Sequence, residues 1–322
     1  MISKLPGLID VHVHLREPAG THKEDFYTGT RAAVKGGFTF VIDMPNNPGA
    51  PTISAERLEE KIALSKKAVC NVGFHFGTNG KNLDEFSKIW DNPRVFGLKI
   101  YMSHTTGELL MSNDELLINV FNAWKCQKPI LVHAEGERLA FAIELAKKYN
   151  RKLHVCHVSL ASEVDLIRNT KHEQRIPISA GVTPHHLFLT EGAIMKPPLN
   201  TQHDKEALWQ GIKDGTIDLI ETDHAPHLRS EQAFGVPGLE TALGLMGLAV
   251  HDKRLTINNL VRLMHDNPRR IFNIPDAGGY LEVDFEKSYT VAGPYETKCN
   301  WSPFEGWTLY GKIKTHHINQ AV

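Results

Sequence analysis

Apolar, β-branched runs of strand length recur along the chain and alternate with longer amphipathic stretches. That is the pattern of repeated strand–helix units around a parallel sheet, whose strands are buried on both faces. Eight strands are predicted, at residues 8–15, 38–44, 71–77, 95–102, 129–134, 153–158, 176–182 and 218–222. Helix starts between them carry capping chemistry. Ser112 with Glu115 has the spacing of a capping box, and Ser54 and Thr201 are suited to cap the helices that follow them. Gly36-Gly37 stops the first helix.

Strand and helix alternating in this way within 322 residues fits an α/β (β/α)8 TIM barrel better than an open doubly wound sheet, which would need a Gly-rich turn that the chain lacks. From about residue 281 the pattern changes to short β-like pieces with Pro, Gly and Trp. The expectation is one domain over 1–322, with a barrel at about 7–280 and a C-terminal extension at 281–322 packed on it.

Composition narrows the functional classes. Lys+Arg 36 against Asp+Glu 37 leaves a formal charge of -1, too little to attract nucleic acid or an anionic membrane. Polar residues interrupt every apolar run before it reaches the roughly 18 residues of a membrane span. The 4 cysteines show no CxxC spacing, and no signal peptide precedes the first strand, which points to a reducing cytoplasm. The 18 histidines matter more for where they fall than for their number. Most lie at the predicted strand ends.

In a barrel, side chains from different strands converge at the carboxyl ends. The strand period of two puts His12 and His14 on one face at the end of the first strand, where two imidazoles can hold a metal. A lone His-x-His could equally be a hydrogen-bonded core pair. However, the fifth strand ends in His133, the sixth in His157 and the eighth in Asp223-His224-Ala225-Pro226-His227, all on the same rim. Convergence of this kind favours a metal site. Lys99 lies inside the otherwise apolar fourth strand. It could snorkel or pair with a carboxylate. Alternatively, burial favours a neutral amine, which can react with carbon dioxide to give an anionic carbamate able to bridge two cations.

The set His12, His14, Lys99, His133, His157 and Asp223 resembles the amidohydrolase superfamily with a carbamylated bridging lysine. Within it, the runs from Asp10 to Pro18 and from Thr222 to His227 look like the two dihydroorotase signatures. Thr183-Pro184-His185-His186 and Asn267-Pro268-Arg269-Arg270 add a likeness to the dihydroorotase domain of the animal multifunctional pyrimidine-synthesis protein.

The resemblance implies that His12, His14, Lys99 and Asp223 bind one metal and that Lys99, His133 and His157 bind a second. Two zinc ions per subunit are expected, with manganese or cobalt as alternatives, bridged by carbamylated Lys99 and a hydroxide. The implied reaction is the reversible cyclisation of N-carbamoyl-L-aspartate to L-dihydroorotate, with Asp223 carrying the proton. Arg16 and Asn46 would hold the substrate carboxylate, which other cyclic-amidase substrates lack. His227 and the backbone of Pro237 and Gly238 would face the ring, and Thr105, on a mobile loop at 103–107, would close over it. His185 and His186 are expected to be structural.

Departures from the pattern are Thr106 for a Phe, Lys196 for an Arg, and Gly181 for a Glu that in some relatives joins a Cys, here Cys156, around a third metal. Two metals are therefore expected. The short run before the first strand implies that the β-sandwich of larger relatives is reduced or absent. A homodimer is expected. The rival readings are a hydantoinase, dihydropyrimidinase or allantoinase, and a catalytically silent partner of an assembly such as that with aspartate transcarbamoylase.

Overall fold

In the computed structural model, which describes residues 2–276 and 278–319, the eight predicted strands form one parallel sheet. After β1 (Ile2–Pro6) come β2 (Leu8–Val13), β3 (Phe38–Asp43), β4 (Asn71–Gly77), β5 (Val95–Tyr101), β6 (Ile130–His133), β7 (Leu153–Val155), β8 (Ile178–Val182) and β9 (Leu219–Ile220). Strands β2 to β9 lie side by side in chain order. The sheet rolls into a barrel because the ends of the row meet. Val13 pairs with His224, the His14 N–H donates to the His224 carbonyl at 2.8 Å, and the Thr222 hydroxyl donates to Asp10 at 2.5 Å. Apolar side chains on both faces of the strands explain their near-continuous hydrophobic runs. Ile9, Val11, Phe40, Ile42, Leu131 and Leu219 belong to a packed interior cluster, while Leu8, Val41, Val72 and Leu98 pack against the helices.

Several strands are shorter than the sequence suggests, β7 and β9 at the ends where chemistry begins, and β6, β8 and β9 also at their starts. Residues 156–158 lie outside β7 and residues 218, 221 and 222 outside β9, so these strands keep only 3 and 2 residues. Just beyond these short strands His157 (φ 36°) and Asp223 (φ 45°) adopt left-handed backbone that cannot continue a strand.

Helix caps follow the expectations with one shift. Ser54 accepts from the Arg57 N–H, and Thr201 and Asp204 form a reciprocal capping box. At the third site the cap is Asn113, which accepts from the Leu116 N–H. The helix Asp114–Ala123 starts one residue later than predicted, so Glu115 falls a position short of the box with Ser112. Gly36 ends the first helix, and Gly37 supplies the left-handed turn (φ 91°) that starts β3.

The extension differs more from its expectation. It consists of two long strands, β10 (Tyr280–Thr290) and β11 (Thr308–His317), which with β1 form an antiparallel sheet in the order β1-β10-β11. The N-terminal residues therefore belong to this layer. Among the described residues this accessory sheet has three strands. Alternation along β10 made its stretch look like fragments, since bulges break the register after Glu282 and between Asp284 and Ser288. Among the described residues no helix is long and apolar enough to cross a membrane.

Candidate metal centre and anion pocket

The carboxyl ends of β2, β5, β6, β7 and β9 bring the six expected ligands to one rim. His14 Nε2 lies 3.0 Å and His12 Nε2 3.4 Å from Asp223 Oδ1, and His133 Nδ1 is 2.9 Å from His157 Nε2. The His12 and His157 rings are 5.1 Å apart, and His12, His157 and Asp223 present ligand atoms within 4.8 Å of one another. All are buried. Burial holds the four imidazoles below their ordinary pKa, His12 down to about 4 with help from the nearby Lys99 charge. They are therefore neutral at pH 7, which is the form that ligates a metal. Burial pushes the Asp223 carboxyl upward, against the pull of His12 and Lys99.

Lys99 is completely buried on β5. Its amine donates to Cys156 Sγ at 3.1 Å and lies 5.1 Å from the Tyr101 ring centre. Neither alternative from the sequence applies among the described residues, because the side chain does not reach solvent and makes no ion pair. Four ring nitrogens of the cluster are also unsatisfied: His12 Nδ1, His14 Nδ1, His133 Nε2 and His157 Nδ1 are buried with no hydrogen-bond partner among the described residues. Neutral imidazoles, a carboxylate and an unpaired amine in one dry cluster are a donor set that a metal pair fits.

Beside this cluster is a cationic corner. Arg16 is buried in left-handed backbone (φ 61°), and its guanidinium reaches the Pro226 carbonyl (3.2 Å) and His227 Nε2 (2.9 Å). It forms no ion pair with Glu17 or Glu24, its acidic neighbours in the chain. Glu17 is held by Lys67 and the Phe26 N–H, and Glu24 by Thr28 and Thr297. Lys23 Nζ lies 3.2 Å from the other ring nitrogen of His227. Burial, then Arg16 and Lys23, hold His227 down to about 3 against the pull of Glu231, which pairs with Lys23 at 3.0 Å, so among the described residues Arg16 is the cation of this corner without an ion-pair partner.

The remaining expected residues are placed less directly. Asn46 is buried and donates to the Thr106 carbonyl at 3.0 Å, so the 103–107 loop is tied to the rim through Thr106. Thr105 is only partly buried on that loop. The Gly238 N–H donates to His224 Nδ1 at 3.1 Å, and Pro237 lines a small cavity with His224 and Trp301. Of the pair expected to be structural, His186 is bonded to Thr183 and the Pro197 carbonyl, whereas His185 Nε2 is buried with no hydrogen-bond partner among the described residues. The Lys196 amine lies 5.5 Å from the Phe234 ring centre.

Three residues escaped the sequence reading. Asp10 accepts from the N–H groups of His12 and Thr222, and burial pushes its pKa up to about 7. Glu221 lies against His12, His154 and His157. Both precede a ligand by two residues, so the period that located His14 also carried them. Lys23 had no such signal, because only the closed barrel brings it to His227.

The amidohydrolase family model matches residues 3–292. The chain is 42% identical to the multifunctional protein pyr1-3 of Dictyostelium discoideum over 97% of its own length, but spans only 15% of that protein. It is 33% identical to the dihydroorotase of Methanosarcina acetivorans, over 94% of this chain and 78% of the relative. Among solved structures, the L-hydantoinase of Arthrobacter aurescens superposes with a TM-score of 0.91 at 22% identity, covering 99% of this chain and 86% of that one. That likeness concerns the fold.

Proposed function

Because the chain belongs to the amidohydrolase family and, within it, to the dihydroorotases, we propose that it catalyses the reversible cyclisation of N-carbamoyl-L-aspartate to L-dihydroorotate. The observation that carries this reading is the placing of the Arg16–His227–Lys23 corner beside the ligand cluster. Cyclic amidase chemistry needs the cluster alone. A buried guanidinium without an ion-pair partner among the described residues suits a substrate that also bears a carboxylate.

The metal pair would be held by His12, His14, Lys99 and Asp223 on one side and by Lys99, His133 and His157 on the other. When bound, it supplies Lewis acidity for the amide carbonyl and for the water nucleophile. Zinc suits these donors best. The Lys99 amine would add to carbon dioxide, forming an N–C bond and releasing one proton, and so become an anionic oxygen donor.

The chain's own groups do the rest. Arg16 fixes the carboxylate, with Asn46 contributing an amide N–H from the end of β3. His227, kept neutral, orients the guanidinium and presents no competing charge. Asp223, whose affinity for a proton burial increases, takes the proton of the attacking water and delivers it to the leaving ring nitrogen. In the synthetic direction it removes the ureido proton. Because the Gly238 N–H is committed to His224, ring contact from this pair falls to the Pro237 carbonyl. Thr105 reaches the substrate when the 103–107 loop moves inward. The same reading puts the protein in the cytoplasm, with aspartate transcarbamoylase as a partner enzyme.

A substrate panel tests the assignment. Dihydroorotate should be turned over, while dihydrouracil and hydantoin should be poor substrates. Efficient hydantoin turnover with none of dihydroorotate would overturn it.

A further inference from the structure

Glu221 is completely buried, directly after β9, and its backbone N–H still donates to Val182. Its side chain turns towards the neighbouring strands. Oε1 accepts from the His157 N–H at 2.5 Å, and Oε2 lies 3.3 Å from His154 Nε2 and 3.5 Å from His12 Nδ1. The pose depends on an empty place on β8. A Cβ on Gly181 would fall 2.5 Å from both Cδ and Oε1 of Glu221. The glycine is therefore where the carboxylate enters, so its presence does not leave the rim without an acidic group.

The contacts show what the carboxylate is for. His12 turns Nε2 towards Asp223 and the other ligands, at 3.4 Å, and Nδ1 towards Glu221 at 3.5 Å, so the carboxylate is the acceptor facing a ring nitrogen that has no hydrogen-bond partner among the described residues. An imidazole that offers the Nε2 lone pair to a cation must carry its proton on Nδ1, and a buried N–H needs an acceptor. His157 has a different need. Its left-handed backbone (φ 36°) is an unfavourable bend for a side-chain-bearing residue, and the bond from its N–H to Glu221 pins that bend. His154, held in turn by Ser179 Oγ at 2.9 Å, buttresses the carboxylate from below.

We infer that Glu221 is a positioning residue, which sets the tautomer of His12 and the backbone at His157, and that Gly181 is its obligatory partner. The inference rests on the reading of His12 and His157 as metal ligands. One alternative use of the same atoms is specific. His12, Cys156 and Glu221 also present ligand atoms within 4.8 Å of one another, so Glu221 could itself hold a further cation.

The test uses the full chain, stripped of metal, in wild type and in Glu221→Gln, Glu221→Ala, Gly181→Ala and the Glu221→Ala/Gly181→Ala double variant. Zinc affinity is read by competition with a chelating dye. The site's geometry is read from the visible absorption of added cobalt(II). Loss of an outer-shell partner weakens metal binding by about 10–100-fold. The expected result is a loss of that size in Glu221→Gln, which keeps the side chain's shape, and a larger one in Glu221→Ala. Gly181→Ala should match Glu221→Ala, and the double variant should be no worse than Glu221→Ala. The cobalt spectrum should change in each.

Equal zinc affinity and an unchanged cobalt spectrum in Glu221→Gln and Gly181→Ala would overturn the inference and leave the metal site standing. An additional zinc equivalent, lost alike in Glu221→Gln and Cys156→Ser, would overturn it in favour of direct ligation. A wild-type chain that takes up neither zinc nor cobalt defeats the metal reading itself.

Discussion

The ligand cluster and the cationic corner are neighbours built in opposite ways. Every member of the cluster lies at or just past the end of a barrel strand, so register between adjacent strands sets its geometry. Lys99 faces Leu131, for example, and Tyr101 faces His133 across β5 and β6. The corner is assembled from loops. Arg16, Lys23 and His227 sit on segments about 210 residues apart in the chain, and the His227 carbonyl is held by Trp301 of the extension at 2.7 Å. The general chemistry thus resides in the rigid frame, and the choice of substrate in segments that can change without disturbing it.

Acid should have the largest effect and should fall mainly on the cluster, which holds four depressed histidines against the corner's one, His227. The cluster holds His12, His14, His133 and His157 neutral by burial, and His75, His185 and His186 are buried in the same way. Their folded pKa lies below the unfolded value of 6.5. The unfolded chain therefore binds more protons as pH falls, and folded stability is lost from about 6.5 downward, at up to about 1.4 kcal/mol per pH unit for each histidine. Asp10 acts in the opposite sense. Its raised value, about 7, favours the folded state at low pH and withdraws that support as pH rises from 3.8 to 7, and the raised carboxyls of Asp43, Glu135, Glu163 and Asp223 act with it, but the seven histidines outnumber these acids. The melting temperature of metal-stripped protein should fall steeply between pH 6.5 and 4. A flat profile there would mean that the cluster is not buried and neutral.

Asp223→Asn removes the proton carrier and should lower kcat by about 10²–10⁴-fold, in both directions, with the corner intact. A matching rise in KM instead would move Asp223 from chemistry to binding. Arg16→Ala should act through the corner alone. Loss of a charged hydrogen bond worth about 1.5–3 kcal/mol lowers kcat/KM for dihydroorotate roughly 10–150-fold. It should leave slow turnover of an uncharged ring unchanged, and an equal loss for both substrates would dissolve the distinction drawn above. The smallest effect is expected from Trp301→Phe. It deletes one neutral hydrogen bond to the loop carrying His227, worth about 1 kcal/mol, and should raise KM a few-fold with kcat unaffected.

The same contrast explains what could be read from the sequence. Period two on β2 identified His12 and His14, and a charged residue in an apolar run singled out Lys99. That second signal also marks Asp10 and Glu221, acidic residues within or directly after apolar runs. Lys23 could not be found in this way. It meets His227 only because β2 closes against β9, and no local pattern records that closure. The extension was misjudged for a similar reason, since β1 belongs to a sheet whose other strands lie some 280 residues later. Gly181 shows a further limit: the sequence records the missing side chain, whereas the structure shows Glu221 entering from β9 to fill the space.

The most direct test of the account is metal removal and restoration in a dihydroorotate assay followed by ultraviolet absorbance. Chelator-treated protein should lose turnover in both directions and recover it on addition of zinc, or of cobalt or manganese, with bicarbonate present to carbamylate Lys99. Undiminished turnover by protein shown to be free of metal would contradict it.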